Sequence, residues 1–554
     1  MFENTMAKIY QFHFRRKDII FFLIYSTLVI LATPNSLTWW FRVSFWLFCV
    51  FLFWSLLNLS SEQRNDLSIF RQRTNYLLIA FVVIFLILTR ILPFLRWGWF
   101  PLGYDTGIYR KNFEMCQAIG GCQSSPYTLI TNVLHLVGWQ SDYFLSIFYV
   151  FMTVLAGLLL FVVARRYFSD RGGLIALLLF TLSSSQFLAF QAFYWAMMMA
   201  LVLGLASFWL LERKSWLVIP IAGFMGAIHP LSFLPFGLAL IAEFIFQISQ
   251  EFTSKRHKRN RSMEGADISL RTRAKNMLSS EASFLFWAGV LIFLVAVSLS
   301  WQVFLSYIPF YADKFGRISN FPVYLSSELS GQYIDFEAYK KFILIYLPFA
   351  LFGLVNLLKK RRFHFLFFYF AVNLFIICFN FIFHNRYIIL LDVICILLAG
   401  EPLWLFLTQL WSRRVSQLAA AILIGAGIFT ALFQGWRVKP LISKEELASI
   451  RSIPYITENN SYVMTVASYY APWVYGFSQR KTIAPGLFEY NKWDMKKWWA
   501  FWTSDNQELR HQFLDEYQKP LYIFIGDRIG RMDFSDDSAF IQVNKNLWLY
   551  RGQL

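Results

Sequence analysis

Charge is scarce in this chain. Only 15% of its 554 residues are Asp, Glu, Lys or Arg, against about 25% in soluble proteins. That excludes an ordinary soluble chain. It also excludes disorder, which needs high charge and little apolar content. The first apolar run lacks a small-residue cleavage site, so it reads as a signal anchor and not as a removable leader. No repeat of fixed period is present. No Gly-rich phosphate loop appears in the polar tail, and no nucleotide-sugar motif is found. Five cysteines are present. Cys49, Cys378 and Cys395 fall in apolar runs and read as small buried hydrophobes. Cys116 and Cys122 share one loop and could close it as a disulfide on an oxidising side of a membrane. Two cysteines are too few for a structural zinc site.

Apolar residues are abundant. They make up 57% of the chain, with a mean hydropathy of +0.47, 62 Phe and 21 Trp. A membrane span needs about 20 mostly apolar residues. Thirteen candidate runs lie near 19–33, 39–59, 76–92, 142–164, 173–189, 194–211, 216–228, 231–249, 282–306, 341–358, 363–383, 387–410 and 416–434. The pair 216–249 is the weakest, because Pro220, Pro230 and Pro235 interrupt it. The expected fold class is a polytopic α-helical membrane protein of about thirteen transmembrane helices. A membrane domain over 1–435 is followed by a small extracytoplasmic α/β domain over 436–554.

The net charge of +18 carries the orientation. Lys8, Arg15, Arg16 and Lys17 precede the first run, and from there every second loop is basic. The loop 250–281 holds eight Lys and Arg, from Lys255 to Lys275. By the positive-inside rule those loops and the N-terminus are cytoplasmic. The excess is therefore a topology signal, and nucleic acid is not an expected partner. Three long segments fall on the other side: 93–141, 307–340 and 436–554. A bacterial or archaeal plasma membrane is the expected location.

In the tail, apolar runs become short and alternate with polar residues. Segments 462–467 and 521–526 read as strands, and 540–543 with 547–550 as a hairpin across Asn544–Asn546. Segments 492–502 and 505–517 read as amphipathic helices between them. Trp493, Trp498, Trp499 and Trp502 either stack on a sugar or serve as core or as a membrane-facing belt.

Chemistry-bearing residues gather at the ends of runs. The segment from Trp97 to Arg110 contains Gly103-Tyr104-Asp105-Thr106-Gly107-Ile108-Tyr109-Arg110. Asp105 can take a proton from an acceptor hydroxyl or ligate a divalent metal. It can equally cap a helix starting at Thr106. With 106–118 helical, Asp105 and Tyr109 share a face. A metal would draw on Asp105, Glu114 and Asp313, and metal use is left open. Between two late runs stands His384-Asn385-Arg386-Tyr387. An Arg with a His at a helix end suits a phosphate. Asp392 and Glu243 lie inside runs, where acids pair with other helices or serve function. His229 precedes Pro230 at a turn, and Lys314 lies in the segment 307–340.

This layout resembles the GT-C superfamily of polyprenyl-phosphate-dependent glycosyltransferases. It is most similar to the branch holding protein O-mannosyltransferases and lipid A aminoarabinose transferases. The acid opening the first large loop (Asp105), the close-packed short runs of 173–249 with the His229-Pro230 turn, the Arg386-Tyr387 step and the terminal α/β domain carry the resemblance. Three features depart from it, one being that the turn 187–194, with Gln191 and Tyr194, holds no acid. Thr106 stands where many relatives have a second acid, and Trp498-Trp499-Ala500 lacks the Asp of the oligosaccharyltransferase Trp-Trp-Asp motif.

The resemblance implies transfer of a sugar from a polyprenyl-phosphate donor to a glycan, lipid or protein acceptor, with inversion. Asp105 would be the base, and Arg386, His384 and Lys314 would hold the donor phosphate. Tyr104, Tyr109, Arg110, His229 and Tyr387 would line the substrates. A transporter or flippase of lipid-linked saccharides, and a polysaccharide polymerase or ligase, are the alternatives.

Overall fold

The computed structural model describes residues 72–98, 103–118, 144–261, 281–318, 346–354, 365–378, 384–411, 414–485, 490–504, 506–527, 532 and 534–552. These residues divide into two compact units. The first lies within Met1–Leu92, Val150–Phe190 and Ala196–Arg437; the second lies within Pro93–Tyr149, Gln191–Trp195 and Val438–Leu554. The second unit thus holds the tail together with parts of two earlier segments.

The helices in chain order are α1 (Gln72–Trp97), α2 (Thr106–Ala118), α3 (Tyr149–Tyr167), α4 (Asp170–Leu182), α5 (Ser184–Ala192), α6 (Trp195–Glu212), α7 (Val218–Ile228), α8 (Pro230–Arg261), α9 (Glu281–Ile318), α10 (Phe365–Cys378), α11 (His384–Trp411) and α12 (Arg414–Arg437). Six helices are long and apolar enough to cross a membrane: Tyr76–Trp97, Leu145–Tyr167, Trp195–Glu212, Pro230–Ser249, Ala282–Trp301 and Arg386–Leu407. The bent pair α4 and α5 makes a seventh if counted as one span. The chain is a multi-pass membrane protein in length and composition.

The expected thirteen spans are not reached among the described residues. The runs 19–33 and 39–59 lie outside them. The run 216–228 gives only the 11 residues of α7, about 16 Å of helix, too short to cross alone. The run 173–189 is no continuous helix. It breaks at Ser183 with a bend of 51°, because three serines in succession offer hydroxyls that compete for backbone groups. The segment 307–340 begins as helix, since α9 runs on to Ile318 past a break at Ser300.

The first unit is held by close helix crossings. α4 begins at Ser169, whose side chain accepts from Gly172 N–H at 3.0 Å, an N-cap that satisfies an otherwise orphaned donor. Its first turn lies against α11. A Cβ added at Gly400 would sit 2.4 Å from the Gly172 carbonyl oxygen, so the two backbones touch where neither residue has a side chain.

In the second unit, α13 (Lys444–Ile456), β1 (Tyr462–Thr465), α14 (Ala471–Phe477), β2 (Lys481–Ile483), α15 (Met495–Thr503), α16 (Gln507–Leu514), β3 (Leu521–Phe524), β4 (Phe540–Asn544) and β5 (Leu547–Tyr550) follow. The sheet order is β2-β1-β3-β5-β4. The first three strands are parallel, and β5 and β4 close it antiparallel. Successive side chains alternate between faces. Met464, Leu521 and Ile523 face Trp498, Phe501 and Leu514. Val463, Tyr522 and Phe524 face Ile450, Trp473 and Val474. Both faces are therefore covered, as parallel strands require. The expected strands, both expected helices and the hairpin are present. The additional elements α13, α14 and β2 were not expected, although Ser443 and Glu446 form a capping box at α13 that is readable as Ser-x-x-Glu.

Of the four tryptophans, Trp493 and Trp498 are buried core. Trp502 is half-buried and donates to the Val466 carbonyl at 2.7 Å. Trp499 is 63% exposed. Trp498→Ala should remove about 3–5 kcal/mol of core stability, read as an early melting transition of the full chain in detergent. Trp499→Ala should leave that transition in place.

Candidate functional site

In the second unit the Asp105 segment is wedged between two supports. Tyr109 N–H donates to the Asp105 carbonyl at 3.1 Å, so Asp105 stands at the head of α2 and is half-buried. Peptide N–H groups at a helix start favour a negative charge there. The preceding turn is closed by Thr106 Oγ1–H donating to the Gly103 carbonyl at 2.9 Å.

On one side of α2 lies α14. A Cβ on Gly107 would stand 1.8 Å from the Pro472 carbonyl oxygen, and one on Gly476 would stand 2.2 Å from the Gly107 carbonyl oxygen. Only glycine permits this approach. The Arg110 guanidinium lies 4.0 Å from the centre of the Phe477 ring and pairs with Glu114 at 2.8 Å. Lys111 Nζ lies 3.5 Å from the Tyr475 ring, and Tyr104 donates to the Ser468 carbonyl at 3.1 Å.

On the other side lies the Gln191–Trp195 turn. Phe193 has a left-handed backbone (φ 63), a strained conformation for an aromatic residue. A Cβ on Gly103 would meet the Phe193 Cβ at 2.2 Å. Tyr109 packs against Phe193 and Trp195, with ring centres 6.3 and 5.8 Å apart. Tyr104, Tyr109 and Arg110, all expected to line substrate, hold α2 in place.

In the first unit, His229, Arg386 and Tyr387 come together. His229 ends α7, and its Nδ1 accepts from Ser232 N–H at 3.1 Å and lies 2.7 Å from Ser232 Oγ. An Nδ1 that accepts leaves its proton on Nε2. Burial, and then the nearby Arg386 charge, push the imidazole down to about 3. His229 is thus a neutral donor at Nε2 beside a guanidinium. Tyr387 donates to the Leu231 carbonyl at 2.8 Å, which ties the start of α11 to the same turn.

One feature of the first unit was not anticipated. Arg90, fully buried in α1, lies over Phe187 and Phe190 at 4.9 and 5.6 Å. An arginine inside an apolar run is itself a functional signal. Asp392 was expected to pair with another helix or to serve function. It does pair with another helix, by accepting from Ser183 and Gln186, both at 2.8 Å.

Backbone alone is described for His384, in the first turn of α11, and for Lys314, near the end of α9. The Cys116–Cys122 pairing lies outside the described residues. Glu114, expected beside a metal, is taken by Arg110. Among the described residues no three His, Cys, Asp or Glu side chains converge to hold a metal ion.

Similarity to known proteins appears in three dimensions alone. No protein-family model matches the chain, and no curated protein does. Among solved structures, the Archaeoglobus fulgidus oligosaccharyltransferase in its apo form is similar over 82% of this chain and 70% of its own, with a TM-score of 0.54 and 13% identity. The same organism's AglB in complex with an inhibitory peptide and a dolichol-phosphate covers the same shares, with a TM-score of 0.57 and 12% identity. That protein is a GT-C glycosyltransferase. This chain has the GT-C fold.

Two expectations follow from the geometry. Gly107→Val drives a branched side chain into the Pro472 carbonyl. It should destabilise the second unit by about 1–3 kcal/mol, measured as a lower melting temperature, while Ile108→Val leaves it near wild type. The folded His229 imidazole titrates below its unfolded value of 6.5, so protonation favours unfolding. Stability should hold above about pH 6.5 and fall as pH drops toward 3. Melts at stepped pH should show a shallower loss in His229→Asn.

Proposed function

We propose that this chain is a membrane glycosyltransferase that moves a sugar from a polyprenyl-phosphate donor to an acceptor, with inversion at the anomeric carbon. The GT-C fold supports this reading most strongly. The dolichol-phosphate and the inhibitory peptide bound in AglB support a lipid-linked donor and favour a polypeptide among the acceptor classes of glycan, lipid and protein. Donor lipids lie in the bilayer, which suits a chain with at least six apolar membrane-length helices.

Each role follows from side-chain chemistry. Asp105 accepts the proton of the acceptor nucleophile as it attacks the sugar. Arg386 gives a planar fork of donors to the leaving phosphate and stabilises its growing charge. The neutral His229 adds an Nε2–H donor without adding a second cation. His384 and Lys314 are further phosphate partners in this reading. The basic loops face the cytoplasm, and the second unit works on the opposite side of a plasma membrane.

One observation favours transport of a lipid-linked saccharide instead. Transporters often build their sites at broken membrane helices, and α4 and α5 form such a pair with a buried carboxylate at the break.

Cells carrying wild-type protein, Asp105→Asn or Arg386→Lys at equal membrane levels separate the two readings by lipid mass spectrometry. Asp105→Asn should reduce transfer by at least about a hundredfold and accumulate one polyprenyl-phosphate sugar, which names the donor. Arg386→Lys should reduce transfer roughly ten- to a hundredfold, through the loss of charge-assisted hydrogen bonds. Unchanged lipid pools in both variants, with lipid movement across proteoliposomes retained, would establish transport.

A further inference from the structure

Asp392 has no role in the proposed transfer, yet its surroundings are specific. The side chain is fully buried where α11 passes the Ser183 break. Its Oδ2 accepts from Ser183 Oγ–H and from Gln186 Nε2–H, both at 2.8 Å. The Gln186 amide nitrogen also donates to the Ile389 carbonyl at 3.0 Å, so both of its protons are used. Two atoms are left over: Asp392 Oδ1 and Gln186 Oε1 are buried without a hydrogen-bond partner.

Both orphans are acceptors when the carboxyl is ionised. An ionised carboxylate there would also leave a full charge and two lone-pair sets unsatisfied in an apolar interior. One proton resolves all three deficits. Placed on Oδ1, it neutralises the acid and creates a donor. The side chain already bonded to the same carboxyl holds the orphan acceptor. Acid and amide then close a ring of two bonds, Nε2–H to Oδ2 and Oδ1–H to Oε1.

We infer that Asp392 and Gln186 form a buried proton-binding site, with the carboxyl carried as a neutral acid in the resting protein. The charged and titratable groups on the surrounding elements are few. Cys395 lies one turn along α11. Arg90 lies over the rings of Phe187 and Phe190 on α5. α4 carries Asp170 and Arg171 at the Glu401 end of the crossing, more than two turns of α11 away. α10 carries Tyr369 and Cys378, and α12 carries Arg414 and Arg437 at its two ends.

The site ties α5 to α11 at the Ser183 break. Asp392 is thus a positioning residue for α5.

The test uses the full-length chain in lipid nanodiscs and needs no substrate, so it stands apart from the transferase reading. Infrared difference spectra of wild type minus Asp392→Asn at neutral pH should show one carboxylic-acid carbonyl band that shifts in D2O. Asp392→Asn keeps a donor for Gln186 Oε1 and should melt with wild type. Asp392→Leu and Gln186→Leu should melt several degrees lower. A missing band, or an Asn variant as unstable as the Leu variant, overturns the inference. A melting temperature that rises with sodium chloride but not with choline chloride also overturns it and assigns the site to a sodium ion.

Discussion

A helix that breaks inside an apolar unit frees peptide groups that no water can satisfy. The Ser183 break sets this condition, and much of the first unit answers it. The Ser183 hydroxyl accepts from Gln186 N–H at 3.2 Å and donates to Asp392. The Gln186 side chain spans to α11, and Gln434 of α12 donates to Ser184 at 2.7 Å. Three elements are thereby fastened to one bend by side chains alone. Leucine at any of these positions would leave a hydroxyl, amide, peptide group or carboxyl without its partner in an apolar interior.

The second unit meets a different constraint with a similar economy of means. Its sheet buries both faces, so its helices must cover two sides. α2, from the first loop, packs on one of those helices through a crossing in which glycines let the backbones touch. Around that crossing, cations rest on ring faces: Arg110 on Phe477, Lys111 on Tyr475 and, from α13, Arg451 on Phe477 at 5.2 Å. Such contacts are worth about 0.5–2 kcal/mol each. The first two hold the segment carrying Asp105 against α14.

Much of this was legible in the residues. Span-length apolar runs announce the membrane helices, and period-two alternation announces the strands of the tail. The change of composition near residue 436 marks where the long helices end. Other features were hidden for physical reasons. Apolar content cannot show that 173–189 bends, because a bent pair is as apolar as a straight span. The short strand Lys481–Ile483 carries too few residues to show alternation. At the candidate site, Asp105 and Arg386 could be singled out by residue type and position. The partners of Asp392 could not, since Ser183 and Gln186 lie more than 200 residues away in sequence. The same distance hid the union of the first loop with the tail.

That union bears on how the protein is made. Tyr104 and Ser468 stand 364 residues apart, and the Trp97 ring nitrogen reaches Val438 across 341. A chain emerging from the ribosome therefore inserts most of its helices while α2 still lacks its partner. The bare crossing face, with Gly107 between Tyr104 and the cations, must wait until residues 468–477 have been made. Contacts so distant in sequence form late. The segment holding Asp105 gains its second support only once the tail has folded, so a truncated chain would leave Asp105 with the Gln191–Trp195 turn alone.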